Sequence, residues 1–210
     1  MIKLQVHKLH KRYARKVIIR ELSFEQEGGV LGIAGPNGSG KSTLLKCLAY
    51  LLKTNGGAIG WQVDGRSVER PDFNELLGYL APYVNLYAEL TCFENLEFIL
   101  RLRTLFDHGA RIQPLLEQMQ MGDRADQPFG SLSTGQQQRI KLASALVHRP
   151  RILFLDEPGS NLDAAGRNLV RSVIDDFRND RHLVLVASNN PEELAWCDRM
   201  ISVEEEAPVN

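Results

Sequence analysis

A glycine-rich segment early in the chain has residue types and spacing that suit it to binding phosphate. Its glycines let backbone N–H groups turn inward around phosphate oxygens, and Lys41 adds a positive charge. The hydroxyl of Ser42 can act as a ligand of Mg²⁺. The segment fits the pattern G-x-x-x-x-G-K-[ST], so we expect it to bind the phosphates of a nucleotide. The expected nucleotide-binding residues are Gly35, Pro36, Asn37, Gly38, Ser39, Gly40, Lys41, Ser42 and Thr43.

Two acidic residues, Asp156 and Glu157, directly follow the apolar run Ile152–Leu155. Such a run predicts a buried strand, and open parallel sheets bind their ligands at the carboxyl ends of the strands. We therefore expect Asp156 to hold Mg²⁺ through water. Glu157 is then the candidate general base for the water that attacks a γ-phosphate. The alternative interpretation of the pair is a solvated acidic loop.

A second glycine turn, Leu132-Ser133-Thr134-Gly135-Gln136, begins a predicted helix that precedes the acidic strand. Ser133 and the backbone of Gly135 lie at the N-terminus of that helix, where free N–H groups attract anions. Serine and glycine are also common in simple helix caps, so the turn alone does not distinguish a cap from an anion site.

Alternating strand and helix patterns predict the elements that position these residues. The apolar runs Val30–Ala34, Ile152–Leu155 and Leu183–Ala187 each predict a buried strand that leads into a polar turn and a helix. This alternation predicts an α/β fold with a mostly parallel sheet covered on both faces. Residues 1–27 alternate in polarity and predict an N-terminal antiparallel β subdomain, a hairpin with its turn at Lys11–Arg15.

Helical spacing of apolar residues predicts three further helices. We expect Asn55-Gly56-Gly57 to end the helix that follows the phosphate segment. Residues 93–106 and 111–121 predict amphipathic helices, and no strand pattern occurs between Val84 and Leu132. The leucines that predict the helix after the phosphate segment are Leu44, Leu45, Leu48, Leu51 and Leu52.

The chain of 210 residues is expected to form a single domain with an inserted helical part. We assign residues 1–81 and 149–210 to the core. Residues 82–148 form the expected helical subdomain, which carries Leu132–Gln136. The tail from Glu204 onward is expected to be a solvated end.

Composition excludes several classes of function. The net charge of -1 gives no long-range attraction to nucleic acid or to anionic lipid. No apolar run reaches the roughly 18–20 residues that a membrane-spanning helix needs. The three cysteines have no ligand-like spacing, which is typical of idle thiols in a reducing compartment. These features predict a cytoplasmic protein whose contact with a membrane comes only through a partner.

The motifs and their order resemble those of the ABC ATPases, the nucleotide-binding subunits of ATP-binding cassette transporters. The resemblance covers nearly the whole chain. It rests on the phosphate segment Gly35–Ser42, on Leu132–Gln136 as the signature motif, on Ile152–Pro158, and on the loop Ser160–Asp163 that follows. It implies a P-loop NTPase (RecA-like) core, with ATP and Mg²⁺ as cofactors.

Members of this family pair head to tail, and each ATP lies between the phosphate loop of one subunit and the signature of the other. The resemblance therefore implies a homodimer, or a paired ATPase domain, in which Leu132–Gln136 acts in trans, with Ser133 and Gly135 facing the γ-phosphate. It also implies that Tyr13 stacks on adenine and that Asp163 contacts the partner across the dimer axis. Separate transmembrane permease subunits would hold the chain at the inner face of the cell membrane.

Two positions depart from the family pattern. Where the family usually carries a glutamine, this chain has Pro82, which offers neither a side-chain oxygen nor an N–H group. Where the family usually carries a histidine, this chain has Asn189, which can donate a hydrogen bond but cannot carry a positive charge. We expect slow but real hydrolysis, with Glu157 and Asn189 as the catalytic residues. Full activity despite both changes is the alternative.

The favoured function is the ATP-hydrolysing subunit of a membrane transporter. A soluble ABC ATPase of an assembly machine, such as the iron–sulfur cluster scaffold ATPase, is the alternative. A third interpretation is a nucleotide-binding regulator that hydrolyses almost no ATP. Among transporters, Glu89–Thr91 and Glu94–Leu96 give a weaker similarity to the haem-exporter-like ATPases of cytochrome c maturation.

Overall fold

The computed structural model describes residues 1–14, 16–103, 108–179 and 182–203. Its strands are β1 (Ile2–Tyr13), β2 (Lys16–Glu27), β3 (Gly29–Ala34), β4 (Gly56–Val63), β5 (Arg66–Ser67), β6 (Leu77–Leu80), β7 (Ile152–Asp156), β8 (Leu183–Ser188) and β9 (Arg199–Ser202). Its α-helices are α1 (Lys41–Leu48), α2 (Arg70–Leu76), α3 (Cys92–Leu102), α4 (His108–Gln118), α5 (Thr134–Leu146), α6 (Ala164–Asn179) and α7 (Pro191–Leu194).

Two sheets form the framework. The first is parallel and five-stranded, in the order β6-β7-β8-β3-β9, and the second is antiparallel and four-stranded, in the order β2-β1-β4-β5. The α/β fold class, its parallel sheet and its N-terminal antiparallel subdomain are therefore confirmed. None of the helices within the described ranges is long and apolar enough to cross a membrane.

The central strands of the parallel sheet divide their side chains between two cores. In β7, Leu153 and Leu155 pack into one core, whereas Ile152 and Phe154 pack into the other, which also contains Leu44 of α1. Successive residues of a strand point to opposite faces, so an unbroken apolar run buries both faces at once. Only the residues at the strand ends can then reach a polar surface.

The helix after the phosphate segment ends earlier than predicted. Helix α1 stops at Leu48 because Tyr50 takes a positive φ of 56°, and the N–H groups of Tyr50 and Leu51 bond back to Cys47 and Lys46. This C-terminal turn leaves Leu51 outside the helix. The prediction that Asn55-Gly56-Gly57 ends the helix was wrong, since those residues lie between α1 and β4 or begin that strand.

Other predicted boundaries shift by a few residues. The hairpin turn is shorter than predicted, because Lys11–Tyr13 belong to β1 and pair with residues of β2. The helices predicted at 93–106 and 111–121 are α3 and α4; residues 104–107 and the tail from Glu204 lie outside the described residues. Elements β4, β5, α2 and β9 were not predicted.

Gly78 in β6 lets the helical part of the chain approach the parallel sheet closely. A Cβ atom at this position would lie 2.2 Å from the carbonyl oxygen of Ala145 in α5 and 2.9 Å from Cγ of Pro150. Helix α5 begins at the signature turn, so this contact fixes where that turn sits relative to the sheet.

We expect Gly78→Ala to lower the free energy of unfolding by about 1–3 kcal/mol, because the added methyl group forces α5 and β6 apart. Chemical denaturation of the purified protein measures the change. Gly60→Ala in β4 is the matched control, since a Cβ there meets nothing within 4 Å. Equal unfolding midpoints for the two variants would contradict this account of the packing.

Candidate nucleotide-binding site

The loop between β3 and α1 forms a cradle of backbone groups. Gly40, with a φ of 107°, stands immediately before Lys41, the first residue of α1. The buried Lys41 Nζ donates to the carbonyl oxygens of Gly35 and Pro36, at 2.8 and 2.9 Å. The first N–H groups of the helix have no partner within it and can bind an anion. The ammonium of Lys41 therefore lies beside the helix N-terminus and adds a positive charge there.

A cavity of about 230 Å³ joins this loop to the candidate general base. Its lining includes Lys41, Ser42 and Glu157, so residues far apart in the sequence meet there. Ile18 of β2 also lines it, a contact that no motif in the sequence indicated. Among the residues described, the full lining is Ile18, Asn37, Gly38, Gly40, Lys41, Ser42, Thr43 and Glu157.

Asp156 is a buried carboxylate without a partner. Its side chain is almost fully buried, and neither carboxylate oxygen has a hydrogen-bond partner within the described ranges. Burial raises the pKa of this carboxyl, while the neighbouring Ser42 hydroxyl and the charges of Lys46 and Lys41 act to lower it. An unpaired buried carboxylate is costly, and a metal ion or its bound water would satisfy it. Asp156 and Ser42 thus have the chemistry that a Mg²⁺ site needs.

Glu157 has a strained backbone at the point where the chain leaves β7. Its φ is 49°, an uncommon value for a residue with a side chain, and its N–H donates to the carbonyl oxygen of Ala187 at 2.8 Å. Ser160 closes the turn, because its N–H and its hydroxyl both donate to the carbonyl oxygen of Glu157. A residue keeps such a backbone conformation only where surrounding contacts hold it. Residues with strained backbones cluster at functional sites.

Asn189 contacts the phosphate loop. Its Nδ2 donates to Oδ1 of Asn37 at 2.8 Å, across the neighbouring strands β8 and β3. The amide of Asn189 therefore lies against the phosphate loop. Pro82 is not among the described residues that line the cavity beside this loop; its carbonyl oxygen accepts from Nζ of Lys141 in α5 at 3.4 Å.

The signature turn caps α5 and lies in a different cavity. Ser133 Oγ accepts from the N–H of Gln136, and Oε1 of Gln136 accepts from the N–H of Ser133, which forms a capping box. The cavity beside this turn has a volume of about 430 Å³. Leu132 is buried and Thr134 begins the helix. We call this the signature cavity, and the cavity of about 230 Å³ beside Lys41 the phosphate cavity. Among the described residues, the two cavities share no lining residue. The signature cavity is lined by Gln120, Met121, Ser133, Gly135, Gln136, Arg139, Asn161, Leu162 and Asp163.

Asp163 and Tyr13 lie at the surface. Asp163 caps α6 by accepting from the N–H of Gly166 at 2.7 Å, and its carboxylate lies 3.8 Å from Arg139. Tyr13 ends β1, with its ring half exposed and 4.9 Å from the ammonium of Lys11. The stacking predicted for Tyr13 and the partner contact predicted for Asp163 stay predictions.

We expect Lys41→Ala to weaken the binding of a fluorescent ATP analogue about tenfold or more, because it removes a charged hydrogen-bond donor from the cradle. Fluorescence titration measures the dissociation constant. Lys53→Ala, at an exposed lysine elsewhere, is the control and should bind like the parent protein. If the two variants bound the analogue equally well, the cradle would not be the phosphate site.

Comparison with known proteins gives consistent matches. A family model described as "ABC transporter" matches residues 19–160. The ABC transporter ATP-binding protein NatA of Bacillus subtilis is 35% identical over 198 residues, which cover 90% of this chain and 80% of NatA. The lantibiotic transport ATP-binding protein SrtF of Streptococcus pyogenes is 29% identical over 187 residues, which cover 89% of this chain and 80% of SrtF.

A solved structure has the same fold. The dimeric structure of MJ0796, described as a bacterial ABC transporter cassette, superposes with a TM-score of 0.83 at 24% identity. The match covers 96% of this chain and 94% of that one.

Proposed function

The chain belongs to the ABC transporter family as an ATP-binding subunit, and we propose that it hydrolyses ATP in a head-to-tail dimer that drives separate membrane permease subunits. One observation carries the proposal. The phosphate cavity and the signature cavity have no lining residue in common among those described, so each chain presents two separate half-sites. A second copy, turned head to tail, would bring each half-site against its complement.

In this proposal, Asp156 and Ser42 would hold Mg²⁺. The bound metal would neutralise charge on the phosphates as the bond to the γ-phosphate breaks. Lys41 adds its charge to the same phosphates, and Glu157 orients the attacking water and accepts its proton. Asn189 donates its amide to the γ-phosphate from the opposite side of the cradle.

Gly135 and Ser133 would close the site from the partner subunit. Their helix N-terminus offers N–H donors, together with the positive end of the helix dipole, to the γ-phosphate. ADP lacks that phosphate, so the two subunits would hold together in the ATP state and separate after hydrolysis. This cycle is how hydrolysis would move the permease.

We expect Glu157→Gln to reduce the ATPase rate of the purified protein about a hundredfold or more, because glutamine cannot accept the proton of the attacking water. Phosphate release measures the rate, and binding of a fluorescent ATP analogue should stay at the parent level. Glu192→Gln, at an exposed carboxylate on α7, is the control. An unchanged rate in Glu157→Gln would show that this residue is not the base.

Asn189→His, at equal stability, should raise the ATPase rate or leave it unchanged. The imidazole can still donate to Asn37, and when protonated it adds a positive charge near the γ-phosphate. Steady-state phosphate release over pH 6–8 tests this, since a benefit that depends on charge should grow toward low pH. A large loss of rate would mean that asparagine has a specific role at this position.

The names of the similar proteins favour a transporter subunit over a soluble assembly ATPase. NatA and SrtF are both named as ATP-binding proteins of transporters. Our proposal therefore places the chain in the cytoplasm, at the inner face of the membrane through its permease. Purification from detergent-solubilised membranes should bring a permease chain with the protein; a scaffold protein in its place would favour the alternative.

A further inference from the structure

The turn that carries Glu157 is held by contacts from several elements. On the side of the parallel sheet, the N–H of Glu157 donates to the carbonyl oxygen of Ala187 in β8 at 2.8 Å. On the side of α7, Gly159 lies against the buried Glu193, since a Cβ atom at Gly159 would lie 2.3 Å from Oε1 of Glu193. The backbone of this turn is therefore closely packed on both of these sides.

A further contact comes from α5, the helix that begins at the signature turn. Gln138 in this helix is buried, and its Nε2 donates to the carbonyl oxygen of Pro158 at 3.3 Å. Pro158 is buried as well and directly follows Glu157 in the chain. Gly135 lies on the same face of α5, where a Cβ atom would be 3.3 Å from the carbonyl oxygen of Asn161. One face of α5 therefore runs along the turn that follows Glu157.

The hydrogen bond to Pro158 acts on Glu157 through a stiff connection. The peptide bond between the two residues is planar, and the ring of Pro158 fixes its φ angle. Only the ψ rotation of Pro158 then separates this planar group from the carbonyl that Gln138 holds. Glu157 has a φ of 49°, which a residue with a side chain keeps only where its surroundings hold it. Anchoring the Pro158 carbonyl therefore restricts the backbone of Glu157.

Gln138 has no direct access to a nucleotide. Within the described ranges, it lines neither the phosphate cavity nor the signature cavity. Glu157, in contrast, lines the phosphate cavity. Any effect of Gln138 on catalysis must therefore pass through another residue, and its hydrogen bond leads to the residue next to Glu157.

We propose that Gln138 is a positioning residue for Glu157 of its own chain: its amide holds the Pro158 carbonyl and so keeps the Glu157 carboxylate directed into the phosphate cavity. This inference rests on the proposed function, in which Glu157 accepts the proton of the attacking water. The helix whose N-terminus would face the nucleotide of the partner thus also holds the base for the nucleotide of its own chain.

The first test separates the rate of hydrolysis from nucleotide binding. Gln138→Met removes the amide donor and keeps an unbranched side chain of similar length. We expect it to lower kcat for ATP hydrolysis about threefold to tenfold, the effect of one lost hydrogen bond, with an unchanged dissociation constant for a fluorescent ATP analogue. Gln113→Met, at an exposed glutamine of α4, is the matched control and should keep the parent kcat.

Thermal unfolding curves establish that each variant is folded. Gln138→Leu, which also lacks the donor, takes the place of Gln138→Met if that variant does not fold. An unchanged kcat in a folded variant would overturn the inference and leave the proposed function standing. Weaker binding of the analogue with an unchanged kcat would overturn it as well.

The second test uses mixed dimers to show on which chain Gln138 acts. Lys41→Ala disables the cradle of one chain, and Ser133→Arg disables the signature turn of the other. The intact site of the mixed dimer then joins the cradle and Glu157 of the Ser133→Arg chain to the signature turn of the Lys41→Ala chain. We expect Gln138→Met to lower the rate when the Ser133→Arg chain carries it, and to have no effect when the Lys41→Ala chain carries it.

The opposite pattern would overturn the inference, because Gln138 would then act through the signature turn. An equal loss of rate in both arrangements would also overturn it, since the change would then disturb α5 as a whole. Both results would leave the proposed function standing. If the mixture without Gln138→Met regained no activity, the shared site itself, and with it the proposed function, would fail.

Discussion

A carboxylate held out of water without a partner is the constraint on which this structure depends. The strand that carries Asp156 is buried on both faces, so the carboxylate can meet polar groups only at the strand's end. Leaving a charge in that position is unfavourable, and the charges of Lys46 and Lys41 offset the burial only in part, since the pKa of the carboxyl stays raised. The Ser42 hydroxyl of the phosphate loop and the strained turn at Glu157 lie beside this position. In our proposal, this position binds a cation together with the phosphates of the nucleotide.

The carboxyl edge of the same parallel sheet supports the proposal that the active site is shared between two chains. Strands β3, β7 and β8 are neighbours, and the cradle after β3 and Glu157 after β7 line one cavity. Asn189, after β8, is hydrogen-bonded to Asn37 in the lining of that cavity. The signature turn belongs instead to α5, whose position is set by its close approach to Gly78 in β6. That packing directs the turn to a separate cavity. The two half-sites are therefore built by different contacts, and in our proposal a second molecule brings them together.

Local patterns predicted the parts of the site that depend on local chemistry. The phosphate loop, the apolar strand before Asp156 and the capped turn at Ser133 could all be found because their residues are neighbours in sequence. The end of α1 could not be predicted in this way, because Tyr50 takes a positive φ, a conformation in which glycine is usually found. The contact of Asn189 with Asn37 joins residues far apart in sequence, as does the place of Ile18 in the cavity. Such contacts follow from strand order, which no short pattern specifies.

The most direct test of the central claim, that each active site is shared between two copies, is a mixing experiment. Lys41→Ala damages the cradle, and Ser133→Arg blocks the signature turn, so dimers of either variant alone contain no intact site. In a mixed dimer one site carries both changes and the other carries neither. Random mixing in equal amounts should therefore restore phosphate release to about a quarter of the parent rate, if the sites work independently. A mixture as inactive as either variant alone would contradict the account.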